Sequence, residues 1–299
     1  MYGEQILKLA LGPLQYYWPR EQMLAFYDAM ASTPVDIVYL GETVCSRRHE
    51  LRLSDWIDIA ERMTEAGKEA ILSTQVLMES DADLSTMRKI VGNARFSVEA
   101  NDMGAARCLT NQPFIAGAQL NLYNAVALEL VANLGAKRWV MPLEMGCDDL
   151  AYMQTMRPSG VETEVFAYGR MPLAYSARCF TARHHNLPKD DCRFKCIDDP
   201  NGLTMKTKEN QSFLVINGIQ TQSSKVYNLV NELSSMEALG VDVVRISPQA
   251  QHNEKIIDLF SQVLTKKVAS ADALQQMTGL MPDEPCNGYW YGKPGLDWN

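Results

Sequence analysis

Short runs rich in β-branched and aromatic residues alternate along this chain with longer segments in which apolar residues recur every three or four positions. The short runs, residues 6–11, 35–41, 70–75, 95–99, 114–120, 138–142, 164–168, 213–216 and 242–246, have the length and composition of strands. The longer segments, residues 20–32, 54–67, 83–91, 125–134, 223–239 and 253–267, predict amphipathic helices. Ser54 and Ser223 stand where side chains that cap a helix start belong, and Gly67, Gly135 and Gly240 stand where helices should stop. Met23, Met30 and Met63, among sixteen methionines, fall on apolar helix faces and read as core filler.

Alternation of this kind predicts a parallel sheet with helical crossovers. No Gly-x-Gly-x-x-Gly turn follows the first strand, which favours a closed (β/α) barrel over an open dinucleotide-binding sheet. The expectation is an α/β protein with one TIM-barrel-like domain spanning residues 1–299. The alternation breaks at residues 176–210, a charged stretch with His184-His185, two Asp-Asp pairs and Pro200-Asn201-Gly202. An ordered loop of that length usually carries a function or a metal staple.

Composition narrows the classes of partner. At 46% hydrophobic and 21% charged residues the chain has the balance of a folded protein. The formal net charge is −8 and basic runs are no longer than pairs such as Arg47-Arg48 and Lys266-Lys267, which argues against nucleic acid or an anionic membrane surface. Met1-Tyr2-Gly3-Glu4 puts an acid where a signal peptide carries its basic region. The most apolar helical segment, residues 125–136, is interrupted by Glu129 and Asn133 and is too short to span a bilayer. The expected setting is the cytoplasm, where seven cysteines, an odd number, should be reduced thiols.

Three of those thiols, Cys179, Cys192 and Cys196, form a C-x₁₂-C-x₃-C group in the long loop, and Cys45 lies just beyond the strand at residues 35–41. In a parallel barrel every strand's C-terminal end faces one rim, so the four can converge there. Four soft sulfur donors suit a [4Fe–4S] cluster, one thiolate to each iron. Zinc would accept Cys₄, or Cys₃ with His184 or His185, from the same segments. The bland alternative is a scatter of buried or loop cysteines. Arg47, Arg48, Arg178, Arg183, Lys189, Arg193 and Lys195 crowd these segments and could favour thiolates, but Asp190, Asp191, Asp198 and Asp199 are mixed among them.

The run Pro172-Leu173-Ala174-Tyr175-Ser176-Ala177-Arg178-Cys179 resembles the cysteine motif of the collagenase-like peptidase family designated U. The stretch from Gly169 to Cys192 is similar, more closely, to the branch of that family used in oxygen-independent ubiquinone biosynthesis. So are Gly218-Ile219-Gln220-Thr221, Val226-Tyr227-Asn228-Leu229, Tyr39-Leu40-Gly41-Glu42, Val44-Cys45-Ser46 and Cys286-Asn287-Gly288-Tyr289-Trp290. The resemblance implies a [4Fe–4S] cluster on Cys45, Cys179, Cys192 and Cys196. It also implies a heterodimer with a homologous UbiU-like subunit, a lipid-carrier accessory protein of the quinone pathway, and hydroxylation of a ubiquinone-precursor ring without oxygen. Relatives that hydroxylate RNA use prephenate as oxygen source, so a prephenate-type donor is expected by analogy. The alternatives are a structural or scaffold subunit whose partner does the chemistry, or a collagenase-like peptidase. Against the latter, Thr181-Ala182-Arg183-His184-His185 replaces the Gly-rich and Asn-Arg-Gly stretches of the wider family, and no Ser/His/Asp arrangement has a recognisable local signature.

Polar residues at expected strand ends are candidates for lining a substrate pocket: Glu42, Glu99, Asn101, Asn121, Glu144, Tyr175, Asn217 and Arg245. Glu42, Asn121, Glu144, Tyr175 and Arg245 form the expected substrate-binding set, with Arg245 gripping a substrate carboxylate through its planar fork. Each has a bland reading as a structural hydrogen-bonding group. Cys108 and Cys147 read as buried or incidental thiols, and Cys286 as part of a packed aromatic tail with Tyr289, Trp290, Tyr291 and Trp298. No residue is assigned as catalytic acid, base or nucleophile.

Overall fold

The computed structural model of the protein describes residues 7–299. Met1-Tyr2-Gly3-Glu4, and Ile6 at the start of the first expected strand, lie outside them. The strands are β1 (Lys8–Leu11), β2 (Ile37–Leu40), β3 (Glu69–Ser73), β4 (Ser97–Ala100), β5 (Phe114–Ala116), β6 (Ala136–Val140), β7 (Glu162–Tyr175), β8 (Leu203–Lys206), β9 (Ser212–Asn217), β10 (Gln220–Asn228), β11 (Val243–Ile246) and β12 (Pro285–Cys286). The helices are α1 (Arg20–Ala31), α2 (Leu53–Glu65), α3 (Asp81–Val91), α4 (Met103–Cys108), α5 (Ala125–Leu134), α6 (Cys147–Met156), α7 (Phe180–His184), α8 (Leu233–Ala238), α9 (Asn253–Leu264) and α10 (Ser270–Met277).

Strands β1 to β7 pair successively in parallel, and β11 pairs in parallel with both β7 and β1. The result is a closed eight-stranded TIM-type barrel with helices outside. Because side chains alternate along a strand, each strand serves two layers. Ala10, Ile37, Tyr39, Ile71, Ile115, Val140 and Val243 pack together inside the barrel. Leu9, Leu11, Val38, Leu40, Leu72, Val98, Trp139, Val165 and Val244 meet the apolar helix faces in the outer core. Those faces carry Met23, Tyr27 and Met30 of α1, Trp56, Ile59 and Met63 of α2, and Ile256, Ile257 and Phe260 of α9. Fully burying one such side chain contributes about 1.5–3 kcal/mol.

The barrel interior also holds charge. Glu164 of β7 accepts hydrogen bonds from the Tyr39 hydroxyl and the Arg245 Nε, both at 2.5 Å, and lies 3.9 Å from the Arg138 Nη1. Arg245 reaches Glu99 at 2.8 Å and stacks its guanidinium 4.0 Å above the Tyr39 ring centre. Glu99 also accepts from the Ser73 hydroxyl at 2.7 Å and from the Asn101 amide at 3.3 Å. Pairing replaces the water these groups lose, as burial of charge requires.

Three expectations need correction. Residues 223–239 are not one helix: Ser223 lies within β10, which pairs antiparallel with β7 and β9, and only α8 at its far end is helical. The strand expected at 213–216 exists as β9, but it pairs antiparallel with β8 and β10 outside the barrel, which leaves eight barrel strands. The helix expected from Ser54 begins at Leu53, with Arg52 at the N-cap and its N–H held by the Asp55 carboxylate at 2.7 Å. Among the described residues no helix is long and apolar enough to cross a membrane.

Candidate metal centre

β7 is the element that builds the site. Its first half pairs with β6 and β11 in the barrel, and its second half runs on past the wall to pair with β10. Cys179 therefore follows a strand that overshoots the C-terminal end of the barrel, the end at which the loop after β2 carries Cys45. Cys192 closes one 3-10 turn and Cys196 lies in a second. Between them Arg193 and Phe194 both adopt the left-handed region, at φ 49° and 52°. For non-glycine residues such backbone costs about 1–3 kcal/mol each and clusters at functional sites. Phe194 packs against Tyr17 and His49 with ring centres 6.0 and 6.4 Å away.

The outcome is a single small cavity lined by Cys45, Cys179, Cys192 and Cys196, together with Arg48. Glu42 fixes the Cys45 turn by accepting the N–H groups of Val44 and Cys45 at 2.9 and 3.0 Å. Cys179 caps α7, its sulfur accepting the Ala182 N–H at 3.4 Å. Burial pushes the Cys45 thiol up to about 11 against the opposing pull of Arg48, and raises Cys196 in the same way. Without metal these two stay protonated at neutral pH, whereas a bound metal deprotonates its thiols. Among the described residues no three Cys, His, Asp or Glu side chains gather on one single-ion position. His184 and His185 are exposed at the end of α7 and do not line the cavity.

The other candidates fall into three places. Tyr175, Glu99, Asn101 and Arg245 line a cavity of about 40 Å³ at the barrel mouth, with Gln15, Thr43 and Phe166. Arg245 spends Nε on Glu164 and faces Glu99 with Nη1, leaving the buried Nη2 without a hydrogen-bond partner. Tyr175 accepts from Gln220 at 2.7 Å. Asn217 joins a buried amide network beside the cysteines, donating to the Gln15 carbonyl and to Gln220 at 2.8 Å each. Asn121 is an exposed turn residue at φ 55°, and Glu144 is exposed and accepts from the Tyr123 hydroxyl at 2.7 Å; neither lines these two cavities.

Sequence reasoning missed Gln15, Gln220 and Gln222, whose side chains interlock at 2.9–3.2 Å. It also missed a cavity of about 610 Å³ whose wall includes Glu42, Ser46, Arg48 and His49 of the Cys45 loop, Trp56 of α2 and Ile90 of α3. Cys286 is buried and Trp290 packs in the core, whereas Trp298 and Cys108 are exposed and Cys147 is half-buried at the start of α6.

A closed parallel barrel with four thiols gathered on its C-terminal side defines the class of protein. The family model of peptidase family U32 matches residues 22–299, and the chain belongs to that family. It is 25% identical over 244 residues to a collagenase of Porphyromonas gingivalis (strain ATCC BAA-308 / W83), covering 74% of this chain and 58% of that relative. The chain thus spans little more than half of that relative's length. A solved U32 peptidase superposes with a TM-score of 0.47 at 11% identity, covering 84% of this chain and 96% of its own. The Plasmodium falciparum HPPK-DHPS A437G/K540E structure gives 0.46 at 11% identity, covering 93% and 49%.

Proposed function

We propose that this chain serves as the UbiV-type iron–sulfur subunit of an oxygen-independent hydroxylating system in ubiquinone biosynthesis. The observation that carries the reading is the cavity lined jointly by Cys45, Cys179, Cys192 and Cys196, whose residues come from loops far apart in sequence. Zinc bound by four thiolates at about 2.3 Å needs its sulfurs gathered around one point. Sulfurs spread around a cavity suit a cluster, in which each iron takes its own thiolate. The donors are soft, the Ala182 N–H already points at one sulfur, and buried Arg48 offsets anionic charge. Bound there, a [4Fe–4S] cluster supplies one-electron transfer.

The chain's own residues hold that site: Glu42 fixes the Cys45 turn, and Asn217, itself bound to Gln15 and Gln220, anchors Arg48 in the cavity wall. The cavity of about 610 Å³ beside the Cys45 loop is of a size that accepts a small aromatic substrate. In this reading the protein works in the cytoplasm as a heterodimer with a homologous UbiU-like subunit, on a ubiquinone-precursor ring delivered with a lipid-carrier accessory protein, using a prephenate-type oxygen donor. The collagenase name of one relative supports peptide cleavage as the rival activity.

Replacement of Cys179 by serine tests the role. The expected result is a chain that still folds and co-purifies with its partner while cells grown without oxygen stop making quinone. Unchanged anaerobic quinone synthesis contradicts the proposal. Peptide cleavage that survives the substitution favours the peptidase.

A further inference from the structure

Seven arginines and lysines lie within four positions of one of the four cysteines, and among them Arg48 alone is buried. Arg47 is turned to Asp190, Lys195 to Asp198, and Lys189 to Glu79 and the Ala177 carbonyl. Arg178, Arg183 and Arg193 are exposed. Arg48 instead has a side chain 1% exposed and lines the same cavity as the four thiols.

Its hydrogen bonds hold the guanidinium in place without neutralising it. Nη1 donates to the Gln15 carbonyl and Nη2 to the Asn217 side-chain oxygen, each at 2.7 Å, and both acceptors are uncharged. The acid facing it is Glu42 at 3.6 Å, whose Oε1 also accepts two backbone N–H groups. Nε is buried without a hydrogen-bond partner. Gly218, at φ +65°, leaves the space for this packing: a Cβ there would stand 3.0 Å from Nη2. A fixed, buried cation against four sulfur donors has a consequence for charge. Reduction of a cluster adds one electron, and a nearby positive charge in a low-dielectric site stabilises the more negative state.

We infer that Arg48 is a positioning residue that raises the reduction potential of the cluster, with Glu42 as the opposing charge. The inference rests on the cluster reading above. Removing Arg48's charge lowers the potential, and removing Glu42's charge raises it. Glu42→Gln keeps an oxygen for the Val44 and Cys45 N–H groups, so the turn is retained while the charge goes.

The test is an anaerobic redox titration at pH 8 of the full chain carrying its reconstituted cluster, with dithionite as reductant and electron paramagnetic resonance as readout. Iron and sulfide are counted in every sample. At the wild-type midpoint, Arg48→Gln should lower the reduced-to-oxidised ratio at least tenfold, about 59 mV for a one-electron couple. Arg48→Lys should stay within about threefold of wild type because it keeps the charge. Glu42→Gln should move the midpoint the other way. Midpoints that do not move, or that move in one direction for both charge-removing variants, overturn the inference while leaving the cluster reading intact. Wild-type chain that takes up no iron and sulfide overturns both. If Arg48→Gln does not fold, Glu42→Gln and Arg48→Lys still decide by the same criteria.

Discussion

Replacing Glu164 by glutamine removes one charge from the centre of the barrel without changing side-chain size. Its carboxylate, fully buried, accepts from Tyr39 and from Arg245 at 2.5 Å each. The substitution leaves Arg245 with Glu99 as its remaining ion-pair partner, in a site where water cannot compensate. Breaking a buried pair by removing one member costs about 3–5 kcal/mol. Unfolding entropy near the melting temperature is about 2.1 cal/mol/K per residue, or about 0.6 kcal/mol/K for 299 residues. The predicted fall in Tm is therefore about 5–8 °C. Glu69 makes a matched control, because it pairs with Arg138 at 3.2 Å from a side chain 40% exposed. Arg138 keeps Glu162 at 2.6 Å, so losing its solvent-facing partner should cost at most about 1 kcal/mol, and Glu69→Gln should shift Tm by less than about 2 °C. Calorimetric melts, with a rescan to establish reversibility, measure both. A Glu164→Gln shift no larger than that of Glu69→Gln refutes the claim that the internal ion pairs stabilise this barrel.

Three further outcomes follow from local geometry. Arg20 donates to both oxygens of Asp55 at 2.9 and 2.6 Å and holds its carboxyl down to about 2, from an ordinary 3.8. A depressed acid stabilises fully above its unfolded value and loses that contribution as pH falls through its folded value. Asp55→Asn should thus be less stable than wild type at pH 6, with the gap closing between about pH 4 and pH 2 in parallel denaturant titrations; a gap independent of pH contradicts this. Gly41 sits at φ +136° with its Cβ position 2.6 Å from the Ser73 carbonyl oxygen, so Gly41→Ala should lose about 1–3 kcal/mol in urea unfolding. An unchanged midpoint would show that β2 leaves the barrel differently. Exposed Cys108 should be alkylated in the native protein at pH 8, while Cys286, buried and pushed up to about 12 by that burial, should react only after unfolding. Peptide mapping by mass spectrometry that finds the reverse order rejects this packing.

The barrel was legible because its signal is local: each strand's alternation and each helix's stripe can be read within a dozen residues. Residues 223–239 misled because Val226, Val230 and Leu233 recur at helical spacing, while Ser223, between the polar residues Gln222 and Ser224, reads as a helix cap. In the fold those three are buried in β10, a strand held between β7 and β9 by pairings that no local window contains. The cysteine positions could be read for a similar reason, since the strand-end rule places Cys45 and the long loop at one end of a barrel. The charge setting could not. Arg47 and Arg48 are neighbours in sequence, yet one faces Asp190 and the other is buried beside four thiols, a difference made by the Asn217 and Gln15 contacts. Arg245, read as a carboxylate grip, instead spends Nε on Glu164 and faces Glu99 with Nη1, two acids brought to it by barrel closure.

Iron and acid-labile sulfide per chain, measured on anaerobically purified protein, test the four-cysteine centre most directly. The account predicts four of each in the wild type, as a [4Fe–4S] cluster requires. It predicts sharp losses when Cys45, Cys179, Cys192 or Cys196 is replaced in turn by serine, and no change in Cys147→Ser. Zinc without sulfide, or iron and sulfide retained when any of the four is replaced, would contradict it.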